Sequence, residues 1–289
     1  MHTYEQIRAL GVCISFPWMA QGFCYPVFMK RAGFSLVELA IVLVILGLLT
    51  GGILAGRSLI RASELRAVAQ ELTQYRTAAY AFRDKYLALP GDVTNATSFW
   101  GTASACPGDE STPATDSNTC NGDGDGQVNI STHANEYFRF WQHLANAGLI
   151  EGQYTGVRNS GSGGNMNRSA LPGSNVPASK IDGAGTHVQY QSAIAGASTW
   201  FWTGPYGNIF MYGIHADGNG PTERQVIRAE EAWNIDVKLD DGFPASGKLL
   251  TFRQGVRPNC VTTDDPDTSE YFVSNTAARA CNFIYITGF

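Results

Sequence analysis

From Phe34 to Gly56 the chain reads FSLVELAIVLVILGLLTGGILAG, a run whose only ionisable side chain is Glu38. Wound as a helix it reaches about 34 Å, more than the roughly 30 Å of a bilayer's hydrocarbon core. A membrane-spanning helix is therefore expected. Lys30 and Arg31 stand just before the run, which orients the preceding residues to the cytoplasm and exports the residues beyond it; Arg57 and Arg61 on the far side weaken that asymmetry. A secretory signal peptide is the competing reading, because Gly51, Gly52 and Ala55 offer small residues near the end of the run. Glu38 is the anomaly. A carboxylate a few positions inside an apolar span costs free energy unless a cation pairs with it or its stem carries it to the headgroups.

The residues around it, KRAGFSLVE from Lys30 to Glu38, resemble the processing site of type IV prepilins and type II secretion pseudopilins. The resemblance implies that a membrane aspartic peptidase cuts after Gly33 and N-methylates Phe34, with Lys30 and Arg31 forming the basic flank. It also supplies a cation for Glu38: the new α-amino group of Phe34, on the same subunit or its neighbour, setting register during assembly. The leader is then residues 1–33. Its first 28 residues mix aromatics, Pro17, Pro26, Cys13 and Cys24 with little basic charge, whereas Met29 would open a short basic leader, MKRAG. Translation is accordingly expected to start at Met29. Processing leaves 256 of the 289 residues, and losing Arg8, Lys30, Arg31 and Glu5 takes the formal charge from −5 to −7.

Beyond Arg57 the pattern becomes amphipathic. Leu65, Val68, Leu72, Tyr75, Ala79, Phe82 and Tyr86 follow a 3,4 spacing, while Arg66, Glu71, Arg76 and Arg83 fall off the stripe. No proline interrupts Phe34 to Leu89, and Pro90-Gly91 supplies a stop, so one helix of about 55 residues and about 80 Å is expected. Its segment 57–90 should pack on an exported head, 91–289; a free coiled coil is the alternative. A long helix with an apolar half and an amphipathic half is also the architecture the resemblance implies. The apolar half anchors the subunit before assembly and lines the fibre core afterwards. Gly47, Gly51, Gly52 and Gly56 are the weak points at which it could melt.

The head reads as α+β. YFRFWQHLANAGLI, from Tyr137 to Ile150, fits a short helix, weakened at Gly148. HVQYQ, STWFW, NIFMYGI and KLLTF read as strands of an antiparallel sheet packed on the long helix. Arg158 to Asn167 is a loop rich in Gly, Ser and Asn, and Trp200, Phe201 and Trp202 read as core or sheet-face residues. Cys106, Cys120, Cys260 and Cys281 lie beyond the processing site. In an oxidising compartment sequence neighbours would pair, Cys106 with Cys120 and Cys260 with Cys281, although four cysteines allow three connectivities. Zinc is disfavoured, since none of them stands in a CxxC pair.

Asn121, Asp123 and Asp125 place oxygens at alternate positions before Gly126, with the Gln127 carbonyl and Asn129 next along the chain, the spacing of a calcium loop. The usual closing glutamate is missing, Thr132 standing in its place, so Glu136 from the next helix would have to complete the site. An acidic turn that binds nothing is the alternative. A second group, Asp236, Asp240 and Asp241 with Gly242, reads as a turn rather than a contact surface.

The acidic balance, 20 Lys and Arg against 25 Asp and Glu, disfavours nucleic acid as a partner. His133, His143, His187 and His215 lie in unrelated contexts, and no GxSxG, HExxH or phosphate-loop motif appears, so no enzyme is expected. The resemblance implies a structural subunit, with the large head favouring a minor pilin over a major one. A type II secretion pseudopilin is the alternative, ahead of an adhesin head or an anchored enzyme. Implied partners are other pilin or pseudopilin subunits, prepilin peptidase, the inner-membrane assembly machinery and membrane lipid. The implied location is a single pass of the inner membrane with a periplasmic head, then a pilus or pseudopilus.

Overall fold

The computed structural model describes residues 11–14, 23–26, 34–104, 106, 116–129, 136–158, 169–196, 198–215 and 220–289. Lys30, Arg31 and Gly33 of the processing site lie outside the described residues, as do Met29, Thr132, His133 and most of the loop from Arg158 to Asn167. Two compact units are present, Met1–Ser58 and Leu59–Phe289, and one helix runs through the boundary between them.

The first unit contains a short antiparallel pair, β1 (Gly11–Ile14) and β2 (Phe23–Pro26), with Cys13 opposite Cys24 in the register. It also holds the start of α1, which spans Leu36–Tyr86 without a break. No proline interrupts it, Gly47, Gly51, Gly52 and Gly56 all stay helical, and Thr50 adds side-chain bonds to the carbonyls of Leu46 and Gly47. Through this part the large apolar side chains are exposed: Leu36 at 85 %, Leu48 at 72 % and Leu54 at 67 %. Among the described residues α1 is long and apolar enough to cross a membrane.

In the second unit the same helix changes character. Val68, Leu72, Tyr75, Ala78, Ala79 and Phe82 are buried, and Leu65 and Tyr86 pack at the margin of the core. Two residues that the stripe left outside are tied to the head: Arg76 Nε donates to the Thr287 carbonyl at 2.7 Å, and Glu71 Oε1 accepts from the Lys180 amide at 3.3 Å. The helix stops at Tyr86, three residues before the expected end. Leu87 adopts φ 56°, its amide closing back on the Arg83 carbonyl at 2.8 Å. That left-handed residue is the usual place of a glycine and costs a leucine about 1–2 kcal/mol.

After a single turn, α2 (Thr97–Trp100), comes α3 (Glu136–Asn146), ended by Gly148 at φ 72°. Then come β3 (Ala184–Gln191), β4 (Gly207–Ile214), α4 (Ala229–Leu239), β5 (Leu249–Leu250) and β6 (Phe283–Ile286). The sheet is antiparallel in the order β3-β4-β6-β5, so the C-terminal strand inserts between two earlier ones. Aromatic side chains join its layers: Tyr75 meets Trp141 edge-on at 5.1 Å and Phe210 at 6.5 Å, and Phe140 meets Phe210 at 5.9 Å. Such edge-to-face pairs lock the helices to the sheet.

Three expectations for the head need correction. STWFW forms no strand; Trp202 is buried with its indole N–H on the Thr251 carbonyl at 2.7 Å, while Trp200 is 41 % exposed. Only Leu249 and Leu250 of KLLTF pair in the sheet. Asp236 is not part of a turn: it lies in α4, fully buried, accepting from the Tyr271 hydroxyl at 2.6 Å and the Gly242 amide at 3.2 Å. Asp240 and Asp241 do make the turn after it, Asp240 accepting from the amides of Lys248 and Leu249, and Asp241 from that of Phe243.

Candidate functional site

The loop from Asn121 to Asn129 is folded around a residue the sequence pattern does not include. Asp92, just past Pro90-Gly91, is 3 % exposed. Its Oδ1 accepts from the amides of Gly124 at 2.6 Å and Asp125 at 3.2 Å, and its Oδ2 from that of Gly126 at 2.9 Å. Glu136, buried at the start of α3, accepts from the amides of Asp123 at 3.1 Å and Asn129 at 3.0 Å. Asp92, Asp123, Asp125 and Glu136 each bring a carboxylate oxygen to within 4.8 Å of the others.

Close backbone approach makes this convergence possible. A Cβ at Gly122 would stand 2.5 Å from the backbone of Asp92, and one at Gly91 would stand 2.6 Å from the Glu136 carbonyl. Behind the cluster, His143 is fully buried: its Nδ1 accepts from the Gly91 amide at 2.9 Å, which leaves Nε2 to donate to Thr119 Oγ1 at 2.8 Å. Burial holds its pKa down to about 3, so it is a neutral strut between two segments of the site.

Burial, joined by mutual repulsion, raises Asp92 to about 6 and Glu136 to about 8, against the amide bonds that oppose the shift. Four acids held together at this cost form an all-oxygen donor set that suits a hard divalent cation. The structure thus brings Asp123, Asp125 and Glu136 together. Among the other expected donors, Asn121 Oδ1 accepts from the Thr97 amide at 2.9 Å, the Gln127 amide donates to Asp125 Oδ1 at 2.7 Å, and Asn129 Nδ2 donates to Asp125 Oδ2 at 3.3 Å. Asp92 lies about thirty positions upstream of the loop, too far for a loop pattern to find.

At the other end of the chain, Phe34 and Ser35 precede the first turn of α1. The Ser35 amide donates to Glu38 Oε2 at 2.7 Å, and the Glu38 amide donates to Ser35 Oγ at 3.1 Å. This reciprocal pair is a capping box, written in the sequence as S-x-x-E. Glu38 thereby has a role in starting the helix, and its carboxylate is held one residue away from Phe34. The family model of the prokaryotic N-terminal methylation motif matches residues 28–54, which contain this cap and the apolar helix behind it. That motif, followed by a long apolar helix, fits a type IV pilin-like protein. Neither the curated proteins nor the solved structures contain a match to it.

The motif leads into α1, among the described residues the one helix long and apolar enough to span, and this fits a single-pass inner-membrane anchor. The head α1 enters is stapled twice, Cys106 to Cys120 and Cys260 to Cys281. The first staple ends next to the acidic loop, where Arg139 Nη2 lies 3.2 Å from Cys120 Sγ. The second joins the segment before Tyr271 to the start of β6. The base of the head is fastened to α1 by a charged bond: Arg61 donates through Nε and Nη2 to both oxygens of Glu231, at 2.8 and 2.7 Å. Burial alone would raise Glu231, yet the Arg61 bond and the Arg228 amide hold it below the usual carboxylate range.

Proposed function

We propose that the chain is a minor structural subunit of a type IV pilus-like filament. It is cleaved between Gly33 and Phe34, methylated on Phe34, and anchored in the inner membrane by α1 until it joins the fibre. The observation that carries this reading is the methylation motif running without interruption into α1, which changes from a fully exposed apolar rod to a buried helix of the head. After cleavage the α-amino group stands on the residue next to Ser35, whose amide Glu38 already holds, so the same carboxylate can turn from capping its helix to neutralising that amine. The partners of this reading are prepilin peptidase, the assembly machinery and other pilin subunits.

The Leu59–Phe289 unit, much larger than the span it carries, favours a subunit used sparingly over one packed along a whole shaft. Mass spectrometry of the N-terminal peptide from cell envelopes tests the processing step, and intact Gly33–Phe34 overturns the proposal. Immunogold labelling tests the minor role, with gold at fibre ends expected. Even decoration of surface fibres points to a major pilin, and signal confined to the periplasm points to a pseudopilin of a type II secretion system.

The head binds calcium through Asp92, Asp123, Asp125 and Glu136 in this reading. Calcium supplies charge neutralisation there, relieving the repulsion that lifts both buried acids, and ties the end of α1 to the loop and to α3. Isothermal titration tests it, and no heat at millimolar calcium removes the ion from the proposal.

A further inference from the structure

The face of α4 turned away from α1 is unusually greasy for a protein surface. Trp233 and Val237, one turn apart, are 43 % and 52 % exposed, and Phe243 and Val273 join them at 53 % and 51 %. Together they floor a groove of about 700 Å³. Its rim is acidic: Glu230, Asp241 and Glu270 all line it and are all exposed, with Arg228 3.9 Å from Glu230 as the nearby cation. An apolar floor with acids around it selects an apolar side chain flanked by a lysine or arginine.

The far end of the same unit presents such a group. Leu87 is 89 % exposed on a left-handed backbone where a glycine would sit without strain. Beside it Phe99, 51 % exposed, packs edge-on to Tyr86 at 5.1 Å, and Lys85 Nζ stands 5.1 Å over the same Tyr86 ring. Asp84 is the acid of this turn, and Arg83 lines the cleft toward Asp92, which leaves Lys85 as the cation on the Phe99 side.

The two patches are different surfaces at different heights on the unit. The other side of α4 lies along Ala62, Leu65 and Ala69 of α1, a cleft that extends to Gln70, and from Gln70 to Leu87 the helix rises about 26 Å. Complementary patches at opposite ends of one body suit a heterologous contact, which runs on as an open filament where its rotation does not close a ring. We propose that Leu87 and Phe99 of one copy seat in the Trp233, Val237, Phe243 and Val273 groove of the next, with Lys85 against the Glu270 side of the rim. The contact joins heads, and it rests on the filament reading above.

Cysteine cross-linking of the full chain in cells tests it. Cells co-expressing an L87C chain and a V237C chain should give a mixed dimer with a short bismaleimide, and neither chain should give one alone. The doubly substituted chain should give a ladder of multimers. Lys85→Glu and Glu270→Lys should each lower the yield about two- to fivefold, the range of an exposed ion pair, and the K85E chain should regain it with E270K. The N-terminal peptide is read in the same cells. If Gly33 is cleaved and fibres form but 87 and 237 cross-link no better than a control pair at Gln70 and Val237, the groove contact is wrong and the filament reading stands. If Gly33 remains joined to Phe34 and no adduct forms, both are wrong. Dimers of L87C chains with themselves would also overturn the head-to-tail arrangement.

Discussion

The two stretches of α1 share one helix and differ in almost everything else. From Leu36 to about Leu54 its large apolar side chains all face outward, and the free energy of covering them must come from lipid or from other chains. From Val68 to Phe82 the apolar side chains form one stripe, and the head of the same chain already covers them. The contrast teaches that hydrophobicity alone does not say what a helix is for. The first stretch needs partners; the second is finished by intramolecular folding.

Substitutions should separate the two sharply. The largest effect is expected at the tip of the exposed stretch, where Glu38→Gln keeps an oxygen to accept the Ser35 amide but removes the charge. Cleavage at Gly33 should persist in that variant while incorporation into fibres is lost, as read by shearing and immunoblotting. Fibres at normal yield would show that capping, not pairing with the amine, is the function of Glu38.

In the buried stretch Phe82→Ala should leave a cavity against Trp100 and His143 and destabilise the head by about 3–5 kcal/mol. Leu48→Ala, in the exposed stretch, should leave head stability unchanged, and denaturant titration of the chain in detergent compares the pair. Removing the Cys260–Cys281 staple by double serine substitution should cost about 3 kcal/mol in the same assay.

The remaining tests act on the head alone. Calcium at a hundred times its Kd should stabilise the chain by about 2.7 kcal/mol, and Glu136→Gln should abolish most of that gain. The most gradual effect, read per pH unit, concerns Asp236, which burial raises to about 7 from the ordinary aspartate value of 3.8, against the Tyr271 hydrogen bond. The folded state therefore keeps a proton that the unfolded state releases, so stability should fall as pH rises from about 4 to about 7. The slope from this one group is at most about 1.4 kcal/mol per pH unit. Asp236→Asn should flatten it in thermal melts at pH 5, 6 and 7.

How much of the molecule is legible in its sequence depends on the range of the interactions. The membrane run, the amphipathic stripe, α3, β3 and β4 are written in local periodicity, and the methylation motif in consecutive residues from Lys30 to Glu38. Local signals also exist for two elements absent from the expected set. Ala229, Ala232, Ile235 and Leu239 mark α4 at helical spacing, where the nearby aspartates suggest a turn, and FIYI at 283–286 marks β6. The capping box at Ser35 and Glu38 is equally legible.

Contacts between distant segments decided the rest. A loop pattern could propose Asp123, Asp125 and Glu136, but Asp92 joins them only because two glycines let backbones approach and His143 braces the turn from a third segment. The place of β6 between β4 and β5 arises from core packing that no single strand encodes. By itself, the sequence determined that this chain has a long apolar run, a methylation motif and a helix with two solvents, because those properties lie in consecutive residues or in local periodicity. Tertiary structure alone decided which acids share a site and which apolar residues stay uncovered, because both depend on side chains meeting across gaps that the chain crosses only when folded.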